Sequence, residues 1–128
     1  MQNKKIHVSI VTPEGNAYEG DVDFLSIPAT TGSMGILPNH IPIIAQLGVG
    51  VMKLIENGNP LYIGVSGGFM EFINNRANIL TERAIFTEYD KRGEIIKELK
   101  KKHHIIQELT EETKGILHAI ASMKRLRE

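Results

Sequence analysis

Gly32-Ser33-Met34-Gly35-Ile36-Leu37-Pro38-Asn39-His40-Ile41-Pro42 is the stretch on which the reading of this chain turns. Two glycines and two prolines surround a short apolar patch. Proline fixes φ, and glycine supplies conformations closed to other residues, so the segment reads as a stiff, shaped turn and not as a linker. It contains no metal-binding, phosphate-binding or nucleophile pattern. A rigid loop without catalytic equipment points to contact with another protein. About two dozen residues further on, Ser66-Gly67-Gly68-Phe69-Met70-Glu71 is the second distinctive run.

Working outward from the loop, the sequence to about residue 87 alternates with period two between turn signals. Ile6, Val8 and Ile10 alternate with His7, Ser9 and Val11 before a turn at Pro13-Glu14-Gly15-Asn16. A short run from Asp23 to Pro28 precedes the loop. After it, Ile43 to Ala45 and Gly48 to Ile55 lead into Asn57-Gly58, the strongest hairpin signal in the chain. Leu61 to Val65 and Phe69 to Ile73 follow, then a turn at Asn74-Asn75 and a last strand from Ala77 to Leu80. Many short strands separated by Gly, Asn and Pro turns predict an antiparallel β-sandwich or flattened barrel over residues 1–87.

From residue 88 onward the pattern is helical. Ile95, Ile96, Leu99, His103 and Ile106 share one face of a helix over roughly 90–107. Thr110 is placed to cap a second helix, with Glu111 and Glu112 in its first turn and Ile116, Leu117, Ile120, Met123 and Leu126 as its apolar stripe. The expected product over 88–128 is a helical hairpin and the fold class is α+β. Short helices with narrow stripes are marginal alone, so this hairpin must dock on the sandwich or on a partner. A segment with two comparable docking choices is suited to be a switch.

Composition narrows the function. The 128 residues form one ordinary domain or a small domain with an appendage, and 41% hydrophobic content is enough for a core. There is no cysteine, hence no disulfide framework and no thiolate site. The N-terminus leads directly into strand-like sequence with no signal-peptide core, and the apolar stretch from Ile41 to Met52 is too short to span a bilayer. Membrane association is therefore expected only through a partner. The net charge is zero, but acidic side chains dominate through residue 90 and basic ones after it. A basic tail on an acidic body suggests an acidic target, against the plainer reading of a solvated lysine-rich helix face.

Several motifs carry a catalytic or ligand-binding reading beside a structural one. Gly64-Val65-Ser66-Gly67-Gly68 fits the G-x-S-x-G nucleophile elbow, and Asp90 and His103 follow in hydrolase order. An elbow needs a helix after the serine, whereas Phe69 to Ile73 alternates like a strand. Glycines at a strand crossing or bulge are the competing explanation. The five histidines, His7, His40, His103, His104 and His118, include no H-x₃-H pair, so no metal site is expected. His40 is either a contact residue or a structural one hydrogen-bonded to its own loop. No phosphate-binding glycine loop is present, and the tail lacks aromatics after Tyr89, which leaves base stacking nothing to use.

Taken together, these residues resemble the epsilon-subunit family of the bacterial-type rotary ATP synthase. The likeness is carried by Val11-Thr12-Pro13-Glu14-Gly15, the Gly-x-x-Gly-Ile-Leu-Pro-x-His-x-Pro run, Ser66-Gly67-Gly68-Phe69-Met70-Glu71 and Thr81-Glu82-Arg83-Ala84. It implies a sandwich of about ten strands followed by two helices, in a non-catalytic subunit of the central stalk on the cytoplasmic face of the cell membrane. The implied partners are the gamma subunit and the c-ring, with alpha and beta subunits engaged transiently. Ser33, Met34, Gly35, Ile36, Leu37 and His40 then belong to the loop facing gamma and the ring. Lys100, Lys101, Lys102, Lys124 and Arg125 form a basic tail that inhibits ATP hydrolysis against acidic beta surfaces.

Two departures from the family pattern stand out. Ser33 occupies the position where many bacterial members carry a glutamate that faces the ring. Members that sense ATP use I/L-D-x-x-R-A at the start of the first helix, where this chain has Glu88, Lys91 and Arg92, with Arg125 in the second helix. Lysine lacks the planar fork of arginine, so the expected cofactor is none. The alternative functions are a stand-alone β-domain with a basic helical arm and a serine hydrolase using Ser66.

Overall fold

In the structure, a computed structural model that describes residues 4–102, the alternation of β1 (Ile6–Thr12) is realised directly. Ile6, Val8 and Ile10 are fully buried and the residues between them face outward. β2 (Gly15–Val22), β3 (Phe24–Ala29), β4 (Gly32–Ile36), β5 (Ile43–Glu56), β6 (Asn59–Ile73), β7 (Arg76–Leu80) and β8 (Ala84–Thr87) follow. A 3-10 turn, Tyr89–Lys91, opens α1, which occupies residues 92–102 and reaches the last described residue. The tight hairpins are where the sequence places them. Asn57 and Gly58 take φ of +51° and +80°, and Asn74 and Asn75 take +50° and +59°, the left-handed pair that two-residue connections require.

The strands pair in the order β2-β1-β7-β6-β5-β3-β4, with β8 added to β6. β5 and β6 form the long central hairpin, from Ile43↔Phe72 to Glu56↔Asn59. β6 then serves two layers. Its second half, Phe69 to Ile73, pairs β7, and its first half, Tyr62 to Val65, pairs β8. Gly67 and Gly68 mark the change, with φ of +73° and +112°. A Cβ at Gly68 would lie 1.8 Å from the Leu80 carbonyl oxygen, so the strand passes from one layer to the other through backbone that only glycine fits. Between the layers, Phe72, Met70, Ile63, Met52, Leu54 and Ile27 join the β1 residues in one core.

Three expectations are corrected. The described sheet has eight strands instead of the about ten that the resemblance implies, and the segments read as four strands on either side of Gly48 and Gly67 are two continuous ones held in constant register. The sandwich is not wholly antiparallel, since β1 and β7 run parallel from His7↔Arg76 to Val11↔Leu80. The stiff turn is shorter than expected, because residues 32–36 form edge strand β4 against β3 and only 37–42 remain loop. The second helix, with Lys124 and Arg125, lies outside the described residues.

α1 packs against β6. An added Cβ at Gly64 would come within 2.6 Å of Ile95 Cγ2 and 2.9 Å of Leu99 Cδ1, and Leu99 is fully buried. No side chain caps the 3-10 turn that leads into α1. Instead, Arg92 Nε donates to the Tyr89 carbonyl at 2.9 Å. Its guanidinium lies 3.8 Å from the Tyr89 ring centroid and 5.5 Å from that of Tyr62.

Candidate functional site

The loop between β4 and β5 is fastened from below. Asn39, in the left-handed region at φ +68°, exchanges two hydrogen bonds with Asn75: its N–H donates to Oδ1, and Asn75 Nδ2 donates back to Asn39 Oδ1 at 3.0 Å. His40 N–H donates to the Leu37 carbonyl at 3.2 Å. The His40 ring donates from Nδ1 to the Ile41 carbonyl at 2.7 Å and meets Phe72 edge-on, 5.8 Å between centroids. Only the tautomer with a proton on Nδ1 allows that bond. His40 therefore makes the loop-internal hydrogen bond that the structural reading of this residue requires.

The loop residues divide by burial. Ser33, Gly35 and Leu37 are exposed, Met34 packs on the core rim and His40 is half-buried. Ile36 is fully buried, so it anchors the loop from the core and presents no surface to a partner. Ser33 Oγ lies 3.3 Å from Ser26 Oγ across the β3–β4 pair.

The sequence reading missed a larger feature. On the outward face of β5, β6 and β7, Ile44 is 74% exposed, Phe69 55%, Ile73 42% and Leu80 59%, and the loop adds Ile41 at 74%. Register places Phe69 opposite Leu80 and Leu80 opposite Val11, so an apolar row crosses three strands. A shallow groove of about 380 Å³ along it is lined by Val11, Pro13, Phe69 and Leu80. A second, of about 480 Å³, is lined by Pro42, Ile44, Glu71 and Ile73. Exposed apolar side chains gathered on one face, here interleaved with Gln46, Glu71 and Asn78, mark an interaction surface. The signal was present in the outward positions of Phe69-Met70-Glu71-Phe72-Ile73, where two of three residues are large and apolar.

At the far end of the same face the surface is charged. His7 Nδ1 lies 2.8 Å from Asp21 Oδ1, and its Nε2 lies 3.5 Å from Glu19 Oε1. The hydrogen bond to Asp21 is the main cause that holds the imidazole pKa above its ordinary value. On β2, beside β1, Tyr18 OH donates across to Glu56 Oε2 at the end of β5 at 2.5 Å, and burial together with that carboxylate pushes the phenol pKa well up.

Ser66 is not at an elbow. It lies inside β6, is 2% exposed, and its N–H donates to Thr81 Oγ1 at 3.2 Å. A strand, not a helix, follows it, which removes the nucleophile reading. Among the described residues, no group of three or more His, Cys, Asp or Glu is arranged to hold a metal. Glu88 and Lys91 are exposed, whereas Arg92 is engaged by Tyr89. Lys100 and Lys101 are exposed, and Lys102 pairs with Glu98 at 3.3 Å.

Residues 5–87 match the family described as ATP synthase, Delta/Epsilon chain, beta-sandwich domain. The chain belongs to that family. Among its relatives, the ATP synthase epsilon chain of Halalkalibacterium halodurans is 46% identical over 79 residues, 62% of this chain and 59% of the relative. The epsilon chain of Leptospira borgpetersenii is 42% identical over 84 residues, 66% of each chain. The chain thus matches about three fifths to two thirds of these relatives' lengths. Among solved structures, a chain of the Euglena gracilis mitochondrial ATP synthase (OSCP/F1/c-ring) superposes with a TM-score of 0.62 at 22% identity, over 68% of this chain and 58% of that one. A chain of the Tetrahymena thermophila mitochondrial ATP synthase central stalk and c-ring gives 0.54 at 16%, over 66% and 69%. These two likenesses concern the fold alone.

Proposed function

We propose that this chain is the epsilon subunit of a rotary F-type ATP synthase, a non-catalytic part of the central stalk that helps couple ion flow to ATP synthesis. The observation that carries the reading is the uncovered apolar row of Leu80 and Phe69, continued by Ile73, Ile44 and Ile41 on a family-matched sandwich. Isolated sandwiches keep such positions polar. A face that stays apolar on a rigid support fits permanent attachment to the gamma subunit, with the exposed Ser33, Gly35 and Leu37 at the edge toward the c-ring. No helix among the described residues is long and apolar enough to cross a membrane, so the reading makes attachment peripheral, on the cytoplasmic face.

The same reading gives residues 1–87 the docking role and 88–128 the regulatory one. Lys100, Lys101 and Lys102 would approach acidic surfaces of the beta subunits and restrain ATP hydrolysis, assisted by Lys124 and Arg125. It assigns no regulatory nucleotide, because Arg92 is held against Tyr89 and Lys91 has no planar fork.

The test is capture of partners from membranes with a tagged chain. The wild type is expected to retain gamma together with alpha and beta. Phe69→Asp combined with Leu80→Asp places two charges on the row and is expected to release them while the sandwich stays folded. Undiminished capture by the double variant would refute the assigned face, and failure of the wild type to bind gamma would refute the function.

A further inference from the structure

Two adjacent outward positions of β6 hold α1, and they do so in different ways. Tyr62 offers its ring to Arg92 and lies 5.7 Å from Tyr89, centroid to centroid. Two residues later, Gly64 offers bare backbone, flanked in register by Val51 of β5 and Ile85 of β8. Arg92, Ile95 and Leu99 are spaced i, i+3 and i+7, so one helix face meets both points. We propose that Gly64 is the catch of a latch built into the fold: the fit of Ile95 and Leu99 into its notch sets how often α1 leaves the sandwich. The regulatory consequence, though not the latch itself, rests on the inhibitory role proposed above.

The fit tolerates no added atom. A Cβ at position 64 would lie 2.6 Å from Ile95 Cγ2. Leu99 Cδ1, at 2.9 Å, ends a flexible side chain and has room to turn. Ile95 does not, because a β-branched side chain in a helix is confined to one strongly preferred rotamer. The smallest substitution must therefore lift the helix itself. Little else resists the lift. Leu99 is the only fully buried residue among the described residues of α1, and no side chain caps the turn that opens the helix. Arg92 on its two tyrosines lies at the opening turn, where it would act as the hinge of a released helix.

Hydrogen exchange on the full-length chain tests this. In Gly64→Ala and Gly64→Val, amides of residues 96–102 are expected to exchange about tenfold faster or more, with β1, β5 and β6 still protected. Valine suits a strand, so β6 itself should persist. If either variant fails to fold, Leu99→Ala and Ile95→Ala remove the contact from the helix side and must accelerate the same amides. Unchanged exchange at 96–102 in folded variants would overturn the latch. In the assembled enzyme, Gly64→Ala should deepen inhibition of ATP hydrolysis. Fast exchange with unaltered hydrolysis would leave the latch standing and retire the inhibitory role.

Discussion

Gly68→Ala is expected to be among the most damaging single substitutions in the chain, and its two causes are separable. The first is backbone strain: φ is +112°, where an L-residue costs on the order of 1–3 kcal/mol. The second is collision. The new methyl would lie 1.8 Å from the Leu80 carbonyl oxygen and 3.0 Å from Thr81 Cα, both backbone atoms of the neighbouring strand and its exit. Relief requires β6 and β7 to part where Phe69 faces Leu80, next to the Thr81 N–H bond to the Val11 carbonyl. Losing one or two such bonds adds about 1–3 kcal/mol. The total, about 2–6 kcal/mol, is a large share of the 5–15 kcal/mol typical of a domain. Urea unfolding followed by circular dichroism reads it directly. With a slope of about 2 kcal/mol per molar urea, the midpoint should fall by about 1–3 M. Gly58→Ala is the control, since φ is +80° there but nothing lies within 4 Å of the added carbon, so it reports strain alone. Equal midpoints for the two variants would refute the collision argument.

The His7 cluster makes stability depend on pH. Its raised pKa means that the ion pair contributes fully below the ordinary 6.5 and that the contribution is lost as pH rises through the raised value. Asp21→Asn should return the His7 midpoint toward 6.5 in an NMR titration, and an unmoved midpoint would refute the assignment. Asn39→Ala loses the bond that Asn75 Nδ2 donates to Asn39 Oδ1 and the side chain that best tolerates φ +68°, while its backbone N–H bond to Asn75 Oδ1 remains, at a cost of about 1–3 kcal/mol, whereas Asn39→Gly should recover the strain component. Thermal unfolding of the pair decides it. Lys100→Glu combined with Lys101→Glu should raise ATP hydrolysis by the assembled enzyme if acidic beta surfaces are the target, and unchanged hydrolysis would favour a merely solvated face.

Legibility in the sequence followed burial. β1, β3 and the two halves of β5 and β6 were readable because one face of each is apolar and the other is not. β2 was not, since only Val22 of its eight residues is buried and an edge strand with polar faces carries no period. β8 escaped because four residues are too few to alternate. β4 was hidden by its glycines, which read as turn chemistry although Gly35 and Ser33 simply face water in a strand. At the site, the pattern located the loop but misplaced Ile36. Periodicity could have shown that an isoleucine between exposed Gly35 and Leu37 points inward. The apolar face was overlooked for the opposite reason: alternation was taken as proof of a strand without asking what occupied its outward positions. Gly64 offered no signal, because a helix seated some thirty residues later in the chain is invisible to any local window.

The parallel pairing of β1 with β7 has a consequence for biosynthesis. β1 leaves the ribosome well before its inner neighbour, which is complete only after residue 80 has emerged, so the β1–β2 hairpin must wait while the chain up to β7 is made. Lone two-stranded ribbons are marginal in water, and distant contacts form slowly. The newborn polypeptide therefore carries Ile6, Val8 and Ile10 without that neighbour until β7 has been made. In that interval it is most open to chaperones and to mispairing, and the arrival of the seventh strand ends the exposure.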